Sequence, residues 1–101
     1  MSRISVVRYT TTPQSSDENE RLVAGVYAAL AAAQPDGFRY ATLRLPDEHG
    51  FVHLAAHTAE VNPLSELPAF LEFQRELGAR VIEAPVARPA VLIGNYGLLA
   101  P

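Results

Sequence analysis

Residues 38–58 read FRYATLRL, PDEHG, FVHLAAHT, and the way these three pieces join decides the fold. The outer two are rich in aromatic and β-branched residues. The middle one opens on Pro46 and closes on Gly50, which suits a turn position of positive φ. The stretch predicts a β-hairpin. Alternation puts Ala41, Leu43 and Leu45 on one face with Val52, Leu54 and Ala56. The other face collects Phe38, Tyr40, Thr42, Arg44, Phe51, His53, Ala55 and His57. The expected connection is a four-residue loop, with Arg44 opposite His53 and Tyr40 opposite His57.

Upstream, residues 4–12 form a Val/Ile/Tyr/Thr-rich strand that stops at Pro13. Ser15 and Glu18 then have capping-box spacing, and Leu22, Val23, Val26, Tyr27 and Leu30 recur at helical steps. This helix runs to about Gln34, where Pro35-Asp36-Gly37 breaks it. Downstream, Asn62-Pro63 interrupts the chain. Leu64, Leu67, Phe70, Leu71, Phe73, Gln74 and Leu77 predict a second helix ending near Gly78, with Ser65 as N-cap and Pro68 in the first turn. Residues 86–99 give a fourth strand with a loose tail, interrupted by Pro89, Gly94 and Gly97.

The order β-α-β-β-α-β is the split βαβ arrangement of a ferredoxin-like α+β fold, here a single domain over residues 1–101. Right-handed crossovers put both helices on one face of a four-stranded antiparallel sheet. The opposite face is expected to carry Phe38, Tyr40 and Phe51, a patch too aromatic to stand open. A second copy of the chain is its simplest cover, so a homodimer is expected.

Composition narrows the function. A chain of 101 residues and 10.9 kDa folds to roughly 5,600 Å² of surface, hiding about 65% of what it exposes unfolded. The charge of −3 and the scattered basic residues argue against nucleic acid and anionic membrane as partners. No apolar stretch approaches the ~20 residues that span a bilayer, so the protein is expected in the cytoplasm. With no Cys there is no disulfide framework or thiolate nucleophile, and all eight basic residues are Arg, which removes Schiff-base lysine chemistry. There is no G-x-S-x-G elbow and no Gly-rich phosphate loop. Ser15-Ser16 reads as capping, and Glu72, Glu76, Arg75 and Arg80 read as a solvated helix face.

The whole pattern resembles the dimeric α/β-barrel superfamily, in particular small proteins of the antibiotic biosynthesis monooxygenase type. The likeness is carried by Val6-Val7-Arg8-Tyr9 leading to Pro13, Glu20, Leu22 and Val23 on the first helix, and the hairpin from Phe38-Arg39-Tyr40 to Val52-His53-Leu54. Leu67, Ala69, Phe70 and Phe73 of the second helix complete it. The resemblance implies a barrel-like dimer with one pocket per protomer and, if the protein is an enzyme, a cofactor-independent one: an oxidoreductase that oxygenates electron-rich aromatic molecules, or an isomerase. Relatives of this type often carry a polar pocket residue on the third strand and, four positions later, a Trp followed by Glu. The matching positions here are His53 and His57, the latter followed by Thr58.

His49, His53 and His57 recur every four residues, but on a strand such neighbours stand about 13 Å apart and cannot share a metal. No metal site is expected. His53, mid-strand on the mixed face, is the candidate base that takes a proton from a phenol or enol, and Arg44 the candidate partner for the resulting oxyanion. Tyr40, Thr42, His57 and Tyr9 are the candidate substrate-binding residues, while Phe70 and Phe73 read as core. Two other readings stay open. In one the protein is a non-catalytic dimeric binding or interaction module; in the other it handles haem, which needs an axial ligand reachable in the pocket.

Overall fold

In the computed structural model, which describes residues 3–98, the first strand-forming run becomes β1 (Arg3–Thr11). Pro13 starts a tight 3-10 turn over Pro13–Ser15 that leads directly into α1 (Ser16–Ala33). That turn leaves Ser15 at φ −100, ψ −6 rather than extended, so the expected capping box is not made. Ser16 ties down this end instead: it is buried, with Oγ 2.7 Å from Thr11 Oγ1 and 3.2 Å from His49 Nδ1. The other end of α1 follows the sequence. Gln34 adopts the left-handed conformation and donates its N–H to the Leu30 carbonyl at 2.8 Å. Gly37 then reverses the chain at φ +67, where a side chain would collide with the Thr58 hydroxyl.

β2 (Phe38–Leu45) and β3 (Gly50–His57) form the hairpin around a loop of residues 46–49. Its register differs from the expectation by two residues. Arg44 pairs with Phe51, Thr42 with His53, Tyr40 with Ala55, and Phe38 with His57. The cause is Gly50, which sits in the strand opposite Leu45 while His49 takes the positive φ of the turn, at 54°. Leu45 Cδ1 would lie 3.3 Å from a Cβ at position 50, a tight contact that any larger residue there would meet. A slip of two residues moves partners but keeps every side chain on its own face.

The expected second helix is split. The Asn62 side chain accepts from Leu64 N at 2.9 Å and caps a 3-10 turn over Pro63–Glu66; α2 (Pro68–Arg75) starts only after it. Pro68 occupies the first helical position as expected, but Leu67 stands at the N-cap and the Ser65 hydroxyl donates to the Asn62 carbonyl at 2.8 Å. A further 3-10 turn, Leu77–Ala79, leads into β4 (Val81–Ala90), five residues earlier than expected. Residues 91–98 extend the chain beyond it with no strand, and the last residue of the expected fourth strand, Leu99, lies outside the described residues.

All strand pairs are antiparallel, in the order β2-β3-β1-β4. This is the ferredoxin-like α+β arrangement. Both prolines of β4, Pro85 and Pro89, are tolerated because β4 is an edge. Among the described residues, no helix is long and apolar enough to cross a membrane.

The faces are reversed relative to the expectation. Tyr9, Phe51, His53, Ala55 and His57 are buried under the helices, where Val23 and Val26 of α1 and Phe73 of α2 pack on them. The open face is aliphatic: Ile4 and Val6 of β1, Leu43 of β2, and Val52 and Leu54 of β3, with Leu43 52% exposed. Alternation fixes which residues share a face, but both faces here are apolar, so the pattern alone does not say which one the helices take. The aromatic side chains decide it, since one Phe or Tyr buries more area than any aliphatic residue of the other face.

Candidate functional site

The pairing of the three inner strands sets His53 in the middle of the covered face. Val7 of β1 lies opposite it on one side and Thr42 of β2 on the other. Tyr9 and Tyr40, each two residues along from those partners and on the same face, flank the imidazole. The Tyr9 ring stacks with His53 at 5.4 Å between centroids and the Tyr40 ring at 5.8 Å, while Phe73 of α2 meets it tilted at 5.8 Å.

Both ring nitrogens of His53 are engaged. Nε2 is 2.9 Å from the Tyr9 hydroxyl; Nδ1 is 2.7 Å from the Tyr40 hydroxyl and 3.0 Å from Thr42 Oγ1. Thr42 passes the chain to the Tyr27 hydroxyl at 2.9 Å. On the other side Asn19 Nδ2 donates to the Tyr9 oxygen at 2.8 Å, and Arg80 Nε donates to Asn19 Oδ1 at 3.0 Å. A continuous hydrogen-bond chain therefore runs from Arg80 to Tyr27 through His53, buried as far as the imidazole and half-buried beyond it.

Burial dominates the electrostatics. It disfavours the charged imidazole and holds the His53 pKa down to about 4, so the ring is neutral at neutral pH. Burial likewise pushes Tyr9 up to about 12, against the opposing pull of the Asn19 hydrogen bond and the Arg80 charge. Tyr40 is raised further for the same reason, which keeps both phenols protonated.

Beside this trio lies a cavity of about 130 Å³ between sheet and α2. Its polar lining is Ser5, Tyr9, Tyr40, His53, Asn62 and Gln74, set among apolar residues that include Val7, Leu64, Phe70, Phe73 and Leu77. A mostly apolar hollow with a few convergent polar groups is the usual form of a small-molecule site. At this volume it takes about one six-membered ring, since a dry cavity of similar size holds benzene. It does not fit haem, because neither imidazole nitrogen is left free as an axial ligand and the space is far short of a porphyrin.

The structure gathers part of the expected site. Tyr9, Tyr40 and His53 line the cavity together, and Thr42 touches His53 from behind. Arg44 is not with them. Paired with Phe51 rather than His53, its guanidinium lies over the Phe51 ring and donates to Asp17 at 3.1 Å and Glu20 at 2.8 Å on α1. His57 sits at the strand end and donates from Nδ1 to the Ala59 carbonyl at 2.6 Å, and His49 turns to Ser16. The three histidines thus have three separate surroundings, and among the described residues no three His, Cys, Asp or Glu gather as a metal would require.

Four contributors are absent from the sequence reading as site residues. Asn19, wholly buried, occupies the apolar stripe of α1 one turn before Val23 and two before Val26. A polar residue on that stripe was the available signal. Arg80, read as helix surface, is 6% exposed because α2 ends at Arg75; it donates to the Phe73 carbonyl at 2.9 Å and lies over the Phe73 ring. Asn62 enters through the split of the second helix, which periodicity does not show, whereas Gln74 stands on the helical period of α2 beside Phe70 and Phe73. Phe73 is core as expected and, with Phe70, also walls the cavity.

No protein-family model matches the chain, and no curated protein matches its sequence. Solved structures do match it. A candidate antibiotic biosynthesis monooxygenase from Caulobacter crescentus superposes with a TM-score of 0.75 at 18% identity, over 92% of this chain and 91% of that one. A second of the same description, from Nitrosomonas europaea, gives 0.75 at 12% identity over 95% and 94%. SnoaB, a cofactor-independent oxygenase from Streptomyces nogalater, gives 0.66 at 22% identity over 95% and 97%. At these identities the likeness establishes a shared fold along nearly the whole chain, and the structural neighbours are antibiotic biosynthesis monooxygenase-like proteins.

Proposed function

We propose that this chain binds a small cyclic molecule bearing a phenolic or enolic hydroxyl in the cavity beside His53, and acts on it as a cofactor-independent oxygenase. The observation that carries the reading is a neutral imidazole at the wall of an apolar cavity, flanked by two tyrosine hydroxyls that line the same space. The ligand hydroxyl gives its proton through one of those phenols to His53, and the electron pair stays on the ring as phenolate or enolate. Molecular oxygen is the oxidant: the electron-rich ring carbon forms a C–O bond to it, the resulting peroxide anion takes the proton back from His53, and the hydroperoxide loses water, its O–O bond breaking as that carbon gives up its hydrogen, which leaves a ring carbonyl. The Tyr hydroxyl on the other side of the imidazole supports the anion by hydrogen bonding.

The test is oxygen uptake with a single electron-rich phenolic ring, phloroglucinol, as probe. The native protein should consume oxygen and His53→Ala should not, while its assembly mass stays the same; full activity in His53→Ala rejects the base.

A second reading, a non-catalytic binding module, is favoured by one observation: both imidazole nitrogens are already occupied by hydroxyls in the ligand-free protein. Saturable binding of phenol with no oxygen uptake from any electron-rich ring would select it.

We further infer that the open aliphatic face is closed by a second copy. The chain exposes 6760 Å², on the order of 1,000 Å² more than a monomer of its mass normally shows. A stable interface needs about 800 Å² per partner. Residues of the open face and of the stretch after β4 line one groove, including Ile4, Val6, Leu54, Val91 and Leu92.

A further inference from the structure

We propose that Arg80 and Asn19 are positioning residues that fix the proton positions around His53, so that the cavity offers a ligand an acceptor oxygen at Tyr9 and a donor hydroxyl at Tyr40. This rests on the reading of the cavity as a ligand site.

The direction of the chain follows from what each group can do. A guanidinium only donates. Arg80 Nε–H points at Asn19 Oδ1 at 3.0 Å, which sets the amide with its oxygen toward Arg80 and its NH2 toward Tyr9. Arg80 cannot easily turn away, because it is buried, its second nitrogen is held by the Phe73 carbonyl at 2.9 Å, and it packs on the Phe73 ring. Asn19 is wholly buried and has no other orientation that satisfies both neighbours.

The amide nitrogen also only donates, so the Tyr9 oxygen accepts. Its own proton then goes to His53 Nε2, 2.9 Å away. A neutral imidazole has one donor and one acceptor nitrogen. With Nε2 accepting, the proton resides on Nδ1. The surroundings of Nδ1 agree: two oxygens, Tyr40 at 2.7 Å and Thr42 at 3.0 Å, can share one N–H, whereas two hydroxyl protons would compete for one in-plane lone pair.

Two capacities remain for a ligand. Tyr9 keeps a second lone pair and Tyr40 keeps its O–H, and both line the cavity. The matching ligand is a ring with a hydroxyl that donates to Tyr9 and a separate acceptor oxygen, such as a carbonyl, that meets Tyr40. A hydrocarbon ring or a fully methylated one leaves these groups unpaired and binds more weakly.

The experiment reads the tautomer in ligand-free, 15N-labelled protein at pH 7, by long-range proton-nitrogen correlation through the imidazole carbons. The expected result is a pyrrole-type Nδ1 and a pyridine-type Nε2 at His53. In Asn19→Asp, nearly the same in shape, the new carboxylate only accepts, so the Tyr9 proton turns toward it, Nε2 must donate, and the tautomer inverts. Arg80 faces the carboxylate and compensates its charge, and unchanged His49 and His57 signals report an intact fold. An Nε2–H tautomer in the native protein overturns the proposal, as does the same tautomer in both forms. Should Asn19→Asp fail to fold, Arg80→Gln frees the amide to turn and is expected to give a mixture of the two tautomers. A failed ligand reading is distinguishable, because it shows as absent phenol binding while the tautomer pattern still holds.

Discussion

The Tyr9 hydroxyl lies 2.9 Å from His53 Nε2 while the two rings stack 5.4 Å apart, so one tyrosine both desolvates the imidazole and satisfies one of its nitrogens. Both favour the uncharged ring, because burial penalises the imidazolium and a hydroxyl donating to Nε2 needs that nitrogen unprotonated; burial holds the pKa down to about 4. The ring is built to stay neutral.

That depression makes stability depend on pH. Between about 4 and the ordinary value of 6.5 the unfolded chain binds a proton at His53 and the folded chain does not. The contribution is fully present above pH 6.5 and is lost as pH falls toward 4, by about 3 kcal/mol at most. Urea unfolding of native protein against His53→Gln should show this extra loss in the native form only. Parallel curves would contradict it.

Removing one hydroxyl of the trio leaves buried partners without a bond. Tyr9→Phe strands Asn19 Nδ2 and His53 Nε2 while keeping the ring stacks, and should lower unfolding stability by about 1–3 kcal/mol. A change below half a kcal/mol would mean that water replaces the hydroxyl.

Phe51, 1% exposed and stacked on Tyr9 at 5.6 Å, anchors the covered face. Phe51→Ala should cost about 3–5 kcal/mol in chemical denaturation. Leu43→Ala, on the open face, should cost a monomer well under 1 kcal/mol.

The open face gives the prediction on assembly. Leu54→Glu sets a charge among Ile4, Val6 and Leu92. Light scattering with size exclusion should report twice the chain mass for the native protein and the chain mass for the variant. A monomeric native protein would remove the second copy from the account.

How far the sequence leads depends on the kind of information asked of it. Element order and face-sharing were legible, because period-2 and helical patterns are strong in residues 4–12, 22–30 and 38–58. The hairpin partners were not, since the turn's positive φ falls on His49, a residue that rarely takes it, while Gly50, the residue type that usually does, begins β3. The Tyr9, Tyr40 and His53 grouping could be read from parity, but Arg44 followed from the mistaken partner and left with it. Asn19 and Arg80 meet across 61 positions of chain, a closeness that only tertiary packing creates.

The proposed function rests on a hydroxylated ring entering the cavity at His53. The direct measurement is a titration of 15N-labelled protein with phenol, following the imidazole nitrogens of all three histidines, with anisole as the hydroxyl-free control. The account predicts a saturable shift at His53, a markedly weaker one with anisole, and still signals at His49 and His57, whose partners lie outside the cavity. An unmoved His53, or equal shifts at all three, would contradict it.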